Sequence, residues 1–191
     1  AFPPTPASGD GRADPDRFLA ALASTNALGR TVGRGAIAEA VADVAGELSA
    51  DRRVVVASDA DPWRDEIDEG LNSAGATVVR PDPPAWRDQA ARADLGITSA
   101  ALGIASTGTL LLVPDADAPR VASLLPAMHL AILPIERLVP GLEDALAGVE
   151  EAIKISSGPV LITGPSRTSD IEMTTVYGVH GPRSLRVLLV V

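Results

Sequence analysis

Three stretches of this 191-residue chain combine hydroxyls, glycines, arginines and histidines at spacings that suit anion chemistry. The first is Ser106-Thr107-Gly108-Thr109, immediately before the apolar run LLLV. A glycine between hydroxyl residues can bring backbone N–H groups close to an oxyanion or carboxylate. The plainer alternative is a tight strand-entry turn whose threonines bond locally. The second stretch runs from Arg120 to His129 and places Arg120 near a helix start and His129 at a strand start. Both are candidates for facing a cleft. The ordinary alternatives are a surface pair between Arg120 and Asp115 or Asp117, and a packed, hydrogen-bonded histidine. The third stretch is the densest. Strand PVLIT runs into Gly164-Pro165-Ser166-Arg167-Thr168-Ser169-Asp170-Ile171-Glu172, and Gly178-Val179-His180-Gly181-Pro182-Arg183 follows soon after. A short helix capped by Ser166, Thr168 or Ser169, with Asp170 and Glu172 in its first turn, would account for the hydroxyls and acids. It would not account for Arg167 at the positive end of a helix, nor for a histidine set between Val179 and Gly181-Pro182.

Several chemistries are excluded. Ser166, His180 and Asp170 are the residue types of a nucleophilic triad, but no G-x-S-x-G elbow surrounds Ser166. Neither G-x-x-x-x-G-K-[ST] nor a strand–G-x-G-x-x-G–helix fingerprint occurs. With no Cys there is no disulfide, thiolate nucleophile or cysteine-ligated cluster in this chain. His129 and His180 are the two histidines, too few for a multi-histidine metal site, so no metal is expected. Sixteen basic against 25 acidic side chains give a net charge of −9, which argues against a nucleic-acid binder. No apolar run reaches the roughly 18–20 residues of a membrane span, and the Pro-rich start does not read as a signal peptide. The expectation is a cytoplasmic α/β domain. Lys154 is the sole lysine and Asn and Gln are scarce, a bias that a GC-rich coding genome produces by itself. Each arginine is therefore weaker evidence for anion binding than it would be in a Lys-rich chain.

The elements that must hold these groups follow from periodicity. Residues 1–12 are Pro- and Gly-rich and read as a flexible leader. Residues 13–50 read as an N-terminal helical arm. Phe18, Leu19 and Leu22 share one helical face, and Ile37, Val41, Val44 and Leu48 line a second helix from Ala36 to Leu48. GRTVGRG between them is too glycine-rich for either element. Residues 51–191 read as the main domain. RRVVVAS is a β-branched run suited to a buried parallel strand. WRDEIDEGLNSAG is a helix ending at Gly75, and ATVVRP is the next strand, completing a βαβ unit. A short helix at Trp86–Ala91 follows, then strands in TGTLLLVP, MHLAILP, PVLITGP and LRVLLVV. Helices are expected over Pro119–Leu125 and over about Pro140–Ile153, the latter with Leu142, Leu146, Val149 and Ile153 facing inward. Six or more short strands alternating with helices predict an α/β sheet with helices on both faces. In such sheets ligands bind outside the carboxyl ends of the strands.

STGTLLL, SLLPAMH, TGPSRTSDIE and VYGVHGPRSLRVLLV resemble the signature of the lactate utilisation protein C family, the LUD domain, in the family's order over roughly residues 95–191. The resemblance implies a three-layer α/β/α fold with a mostly parallel sheet, related to ribose-5-phosphate isomerase, CoA transferases and folate cyclo-ligases. It implies a part in oxidising L-lactate to pyruvate beside two partners that bear iron–sulfur clusters, with no cofactor in this chain. The positions that match the family's motifs are Thr107, Gly108, Thr109, Arg120, His129, Ser166, Arg167, Thr168, Asp170, Glu172, His180, Gly181 and Arg183. Of these, His180, Asp170 and Glu172 are candidate acid–base groups and the others candidate ligand contacts. One position departs from the family: where Glu commonly precedes Thr-Gly-Thr, this chain has Ser106.

Three functions compete on this basis. The first is a non-redox component of a lactate-oxidising system that binds a small anion in a strand-end cleft through Thr107–Thr109, Arg167 and His180. The second is an isomerase or acyl/CoA-transfer enzyme using His180 or Asp170 as acid or base. The third is a scaffold or regulatory subunit for the cluster-bearing proteins. Homodimerisation is compatible with this kind of sheet.

Overall fold

The computed structural model describes residues 13–49, 51–80, 85–114, 120–147, 156, 158–171 and 174–191. The leader at 1–12, Asp115, Asp117 and Glu172 lie outside these, as do residues 148–153 of the helix expected to reach Ile153.

The first helix, α1 (Pro15–Ser24), begins where the sequence supplies both parts of a start signal. The Asp14 carboxylate accepts the Asp16 N–H at 2.9 Å, and Pro15 takes the first helical position. Its apolar stripe buries Phe18 and Leu22. Strand β1 (Leu28–Val32) follows directly. This corrects the expectation for GRTVGRG: Gly29 to Val32 lie in a strand that pairs in parallel with β12 (Ser184–Val190) at one edge of the central sheet. Only one flank of an edge strand needs ladder partners, which is why a run exposed up to Val32 is tolerated there. α1, β1 and the helix over Ile37–Gly46 are thus packed into the sheet and its cores.

The remaining central strands are β2 (Arg53–Val56), β3 (Thr77–Val79), β4 (Leu95–Ser99) and β7 (Met128–Pro134). The six run in the order β1-β12-β7-β4-β2-β3, every pair parallel. One face is covered by α2 (Ile37–Gly46) and α3 (Arg64–Ser73). Leu95, Ile97, Leu130, Ile132, Leu188 and Val190 point to that side and form one core with Ile37, Val41, Val44, Ile67 and Leu71. Burying each such aliphatic side chain stabilises the fold by about 1.5–3 kcal/mol.

The opposite face is mixed. Helix α1 and a second, four-stranded sheet pack on Ala131, Leu133, Val187 and Leu189. That sheet consists of β5 (Leu102–Ile104), β6 (Thr109–Leu112), β8 (Leu138–Val139) and β9 (Val160–Ile162), in the order β8-β5-β6-β9. Further along, α4 (Trp86–Ala91) and α5 (Val121–Leu124) cover Val55 and Ala57. The result is the expected three-layer α/β/α arrangement around a mostly parallel sheet. The runs LLLV and PVLI, however, build the smaller sheet rather than the central one. Residues 142–147 are helical, but Leu142 and Leu146 are exposed and Ala145 is the buried position, so that helix turns a different face inward from the one expected.

The capped short helix considered as the plainer alternative after Ser166 does not form; the segment is a strand. β10 (Arg167–Ile171) pairs antiparallel with β11 (Thr174–Tyr177) in a two-stranded ribbon. The hydroxyl and β-branched residues on both sides of the ribbon suit extended backbone better than a helix.

The end of α1 is where the layers lock. Gly108 has φ +63°, and a methyl group there would collide with the Leu22 backbone; Gly164 has φ +84°, and a Cβ there would sit 2.6 Å from Thr25 Oγ1. Thr25 caps α1 by donating its hydroxyl to the Leu22 carbonyl at 2.7 Å, and the Asn26 amide donates to the Tyr177 hydroxyl at 2.6 Å. The TGT turn, the β9–β10 turn and the ribbon therefore share one support. Gly108→Ala should lower the unfolding free energy by about 2–4 kcal/mol, combining backbone strain with overpacking. Gly75, also at positive φ (67°) but facing open space, should cost only about 1 kcal/mol on the same substitution. Urea denaturation of the two variants measures the difference, and equal losses would remove the steric argument.

Candidate functional site

A half-open cleft of about 210 Å³ lies between α5, the end of β9 and the loop that enters β12. Three constraints shape it. First, Gly96 in β4 carries no side chain, so the α5 backbone at Ala122 rests directly on the sheet and fixes Ser123 and Leu124 as one wall. Second, Ser166 joins the other two segments: its N–H donates to the Pro182 carbonyl and its carbonyl accepts from Gly178 N–H, each at 2.9 Å. Gly181 leaves room for the Ser166 side chain, whose Cβ would lie 3.1 Å from a methyl at 181. Third, the Arg183 N–H donates to the Ala127 carbonyl at 2.8 Å and holds that loop to the turn before β7.

The floor is His129, the second residue of β7, in register with Gly96 on one side and Leu185 on the other. Alternation along β7 turns it away from the α2–α3 core and toward the cleft, where it is 1% exposed. Its Nε2 lies 2.9 Å from the Thr98 hydroxyl, and Nδ1 has no partner among the described residues. Burial pushes the imidazole down from 6.5 to about 4, because a charged ring in this surrounding loses its hydration without gaining a counter-ion. At neutral pH His129 is uncharged. An unpaired buried ring nitrogen costs about 1–3 kcal/mol.

The predicted residues divide into those the fold brings to this cleft and those it does not. His129, Ser166, His180 and Gly181 line it. Thr107 and Thr109 reach it indirectly: Thr107 Oγ1 lies 2.7 Å from Thr109 Oγ1, which lies 2.8 Å from Thr163 Oγ1, and Thr163 is a lining residue. Gly108 is spent on packing against α1. Arg120, Arg167 and Arg183 are exposed and do not line the cleft. The Arg120 carbonyl accepts from the Ser123 hydroxyl at 2.9 Å, and the aliphatic stem of Arg183 lies over Gly178. Thr168 and Asp170 belong to β10. Reading motifs alone missed Thr98, Ser123 and Thr163. The signal for Thr98 was the Thr98-Ser99 hydroxyl pair inside the strand run LGITSA, where a buried strand has no routine use for one.

The location also differs from expectation. The cleft sits at the amino ends of β7 and β12, not at the carboxyl ends of the parallel sheet. Only β9, in the smaller sheet, contributes its carboxyl end through Thr163 to Ser166. The connections entering β7 and β12 are drawn together by backbone bonds to each other, and the cleft forms where they meet. Among the described residues no group of three metal-ligating side chains occurs, and no helix is long and apolar enough to cross a membrane.

A three-layer α/β/α domain with a cleft between its strand-entry loops is the class that fold and site define. The LUD domain model matches residues 30–190, and the chain belongs to the LUD domain family. It is similar to the lactate utilization protein C of Deinococcus radiodurans, 34% identical over 158 residues, covering 82% of this chain and 68% of that protein. It also resembles the Bacillus subtilis protein of the same name, 37% identical over 106 residues, covering 53% of this chain and 44% of the relative. The chain thus spans about two thirds of one curated relative and less than half of the other. Among solved structures it is similar to a DUF162 family protein from Deinococcus radiodurans, with a TM-score of 0.64 and 26% identity, covering 92% of this chain and 95% of that one.

The depressed imidazole makes stability depend on pH in a defined window. Above 6.5 neither the folded nor the unfolded state protonates His129. As pH falls from 6.5 toward 4 the unfolded chain takes up the proton and the folded chain does not, so stability drops by up to about 1.4 kcal/mol per pH unit. His129→Gln should flatten the pH dependence of the unfolding free energy between pH 6.5 and 4. An unchanged slope in the variant would show that other groups set it.

Proposed function

We propose that this chain is a component of an L-lactate utilisation system and binds a small anionic metabolite in the cleft above His129. The observation that carries the reading is a buried, neutral histidine whose Nδ1 has no partner among the described residues, at the floor of a cleft that also presents Ser166 and His180. The relatives named lactate utilization protein C supply the context. Electron transfer belongs to partners in this reading. The sequence has no cysteine to ligate a cluster, so iron–sulfur proteins acting beside it would carry the redox step while this chain binds and presents the metabolite.

The experiment is thermal denaturation of the purified chain with L-lactate, pyruvate and inorganic phosphate. A ligand of the folded state at a hundred times its Kd adds about 2.7 kcal/mol, which for a chain of this size raises Tm by roughly 5–10 °C. Ser166→Ala and His180→Ala should each reduce that rise while leaving the unliganded Tm within a few degrees of the parent. Absence of any shift across the panel at millimolar concentration would sink the proposal.

A further inference from the structure

The cleft wall supplied by β9 is the free edge of a sheet. β9 ends the order β8-β5-β6-β9, and β6 occupies one of its sides. The Leu111 carbonyl accepts the Ala101 N–H at 2.8 Å and so faces β5. Main-chain groups alternate sides along a strand, so Leu110 and Leu112 face β9, opposite Ile162 and Val160. Leu161, between those two, turns its N–H and C=O to the outer side, where no main-chain group meets them among the described residues.

That outer side borders the cleft. Val160 and Ile162 pack their side chains on the core beneath the smaller sheet, whereas Leu161 projects from the opposite face and is 53% exposed. All three line the cleft. Side chains from opposite faces of a strand border one hollow only along an edge, and β6 fills the other edge. Ser123 and Leu124 of α5 supply another wall. The cleft is therefore a groove between an open strand edge and a helix. The edge run Val160-Leu161-Ile162-Thr163 carries neither charge nor proline to block pairing, and the turn at Gly164, φ +84°, ends it.

The charges around this groove select the occupant. An Arg120 guanidinium nitrogen lies 3.7 Å from where a Cβ on Gly158 would stand, just before β9. Arg167 follows the lining residue Ser166, and Arg183 follows the lining residue Pro182. All three are exposed, and none has an ion pair among the described residues. Arg30, Arg64, Arg80 and Arg186, by contrast, are each bridged to an aspartate or glutamate. Exposed apolar residues gather at the same place: Leu161 lines the cleft, and Leu125 and Val179 adjoin residues that do. We propose that an extended segment of a partner protein, with alternating aliphatic and acidic side chains, adds to β9 as a further strand. Its main chain bonds to Leu161, and its acids meet the arginines. The inference stands apart from the anion reading, because Ser166 and His180 lie beyond the turn at Gly164.

Selection of a random heptapeptide phage library on the full chain tests this. Enriched peptides should alternate aliphatic residues with Asp or Glu. Of two synthetic versions N-methylated on alternate residues, one should bind about tenfold more weakly and the other like the parent peptide. Leu161→Pro removes the outward N–H without touching a bond to β6 and should weaken binding by a similar factor, as should Arg167→Glu combined with Arg183→Glu. In the free chain the Leu161 amide should exchange with deuterium far faster than that of Ile162, and bound peptide should slow it. No enrichment, enrichment of uncharged or basic sequences, or equal binding of the two N-methylated versions overturns the proposal. So does a Leu161 amide already protected in the free chain, or a dimer in sedimentation that Leu161→Pro dissociates, which makes a second copy the occupant. Each of these outcomes leaves the anion reading intact.

Discussion

Gly96, Gly108 and Gly164 stand where a Cβ would strike another segment, at the Ala122 carbonyl, the Leu22 backbone and Thr25 respectively. The clearance they provide sets the spacing between the central sheet, α5, α1 and the smaller sheet. If α5 were lifted from Gly96, Ser123 and Leu124 would move off the floor formed by His129. If the end of α1 were displaced from Gly108 and Gly164, the Thr107–Thr109–Thr163 hydroxyl chain and the Ser166 turn would lose their common support. The cleft is thus a consequence of close backbone approach at its margins. Protein interiors are packed densely enough that a methyl group at such a point is felt by all the elements around it.

Parallel sheets usually offer their carboxyl ends to ligands, because helix N-termini and loops converge there. In this chain the candidate cleft lies at the opposite end of β7 and β12. The smaller sheet is the reason. It covers part of one face, and its strand β9 delivers Thr163 to Ser166 to the point where the chain enters β7 and β12. Backbone bonds from Ser166 to the 178–182 loop, and from Arg183 to Ala127, close the circle. Pairs of segments far apart in sequence are held there by main-chain groups, which tolerate side-chain variation better than side-chain bonds do.

The electrostatics of the cleft are local. A net charge of −9 gives the chain no long-range attraction for an anion, and the arginines of the motif-rich stretches that are described point to solvent. At its floor the cleft has a buried, neutral imidazole, with hydroxyl and imidazole groups toward the mouth. In the proposed binding mode, discrimination would come from matching donors to acceptors and from shape, since leaving a buried polar group unpaired is costly whichever ligand enters.

The sequence alone determined most of the elements, because apolar periodicity and capping residues act over a few positions. Asp14-Pro15 starts α1, β-branched runs make the strands, and Gly75 ends α3. It also pointed to His129, Ser166 and His180, residues whose types are out of place for their local surroundings. It could not assign LLLV and PVLI to a second sheet, since a short apolar run reads the same in either. It left Leu28–Val32 unassigned because an edge strand needs no apolar alternation, and it left the residues after Ser166 open between a capped helix and a ligand-binding segment because hydroxyls suit a cap as well as a ribbon. Only the tertiary structure decided that His129 and Ser166 share a cleft while Arg167 does not. Strand register and the contacts at Gly96 and Gly164 set which side of each segment faces inward, and those depend on residues tens to more than a hundred positions apart.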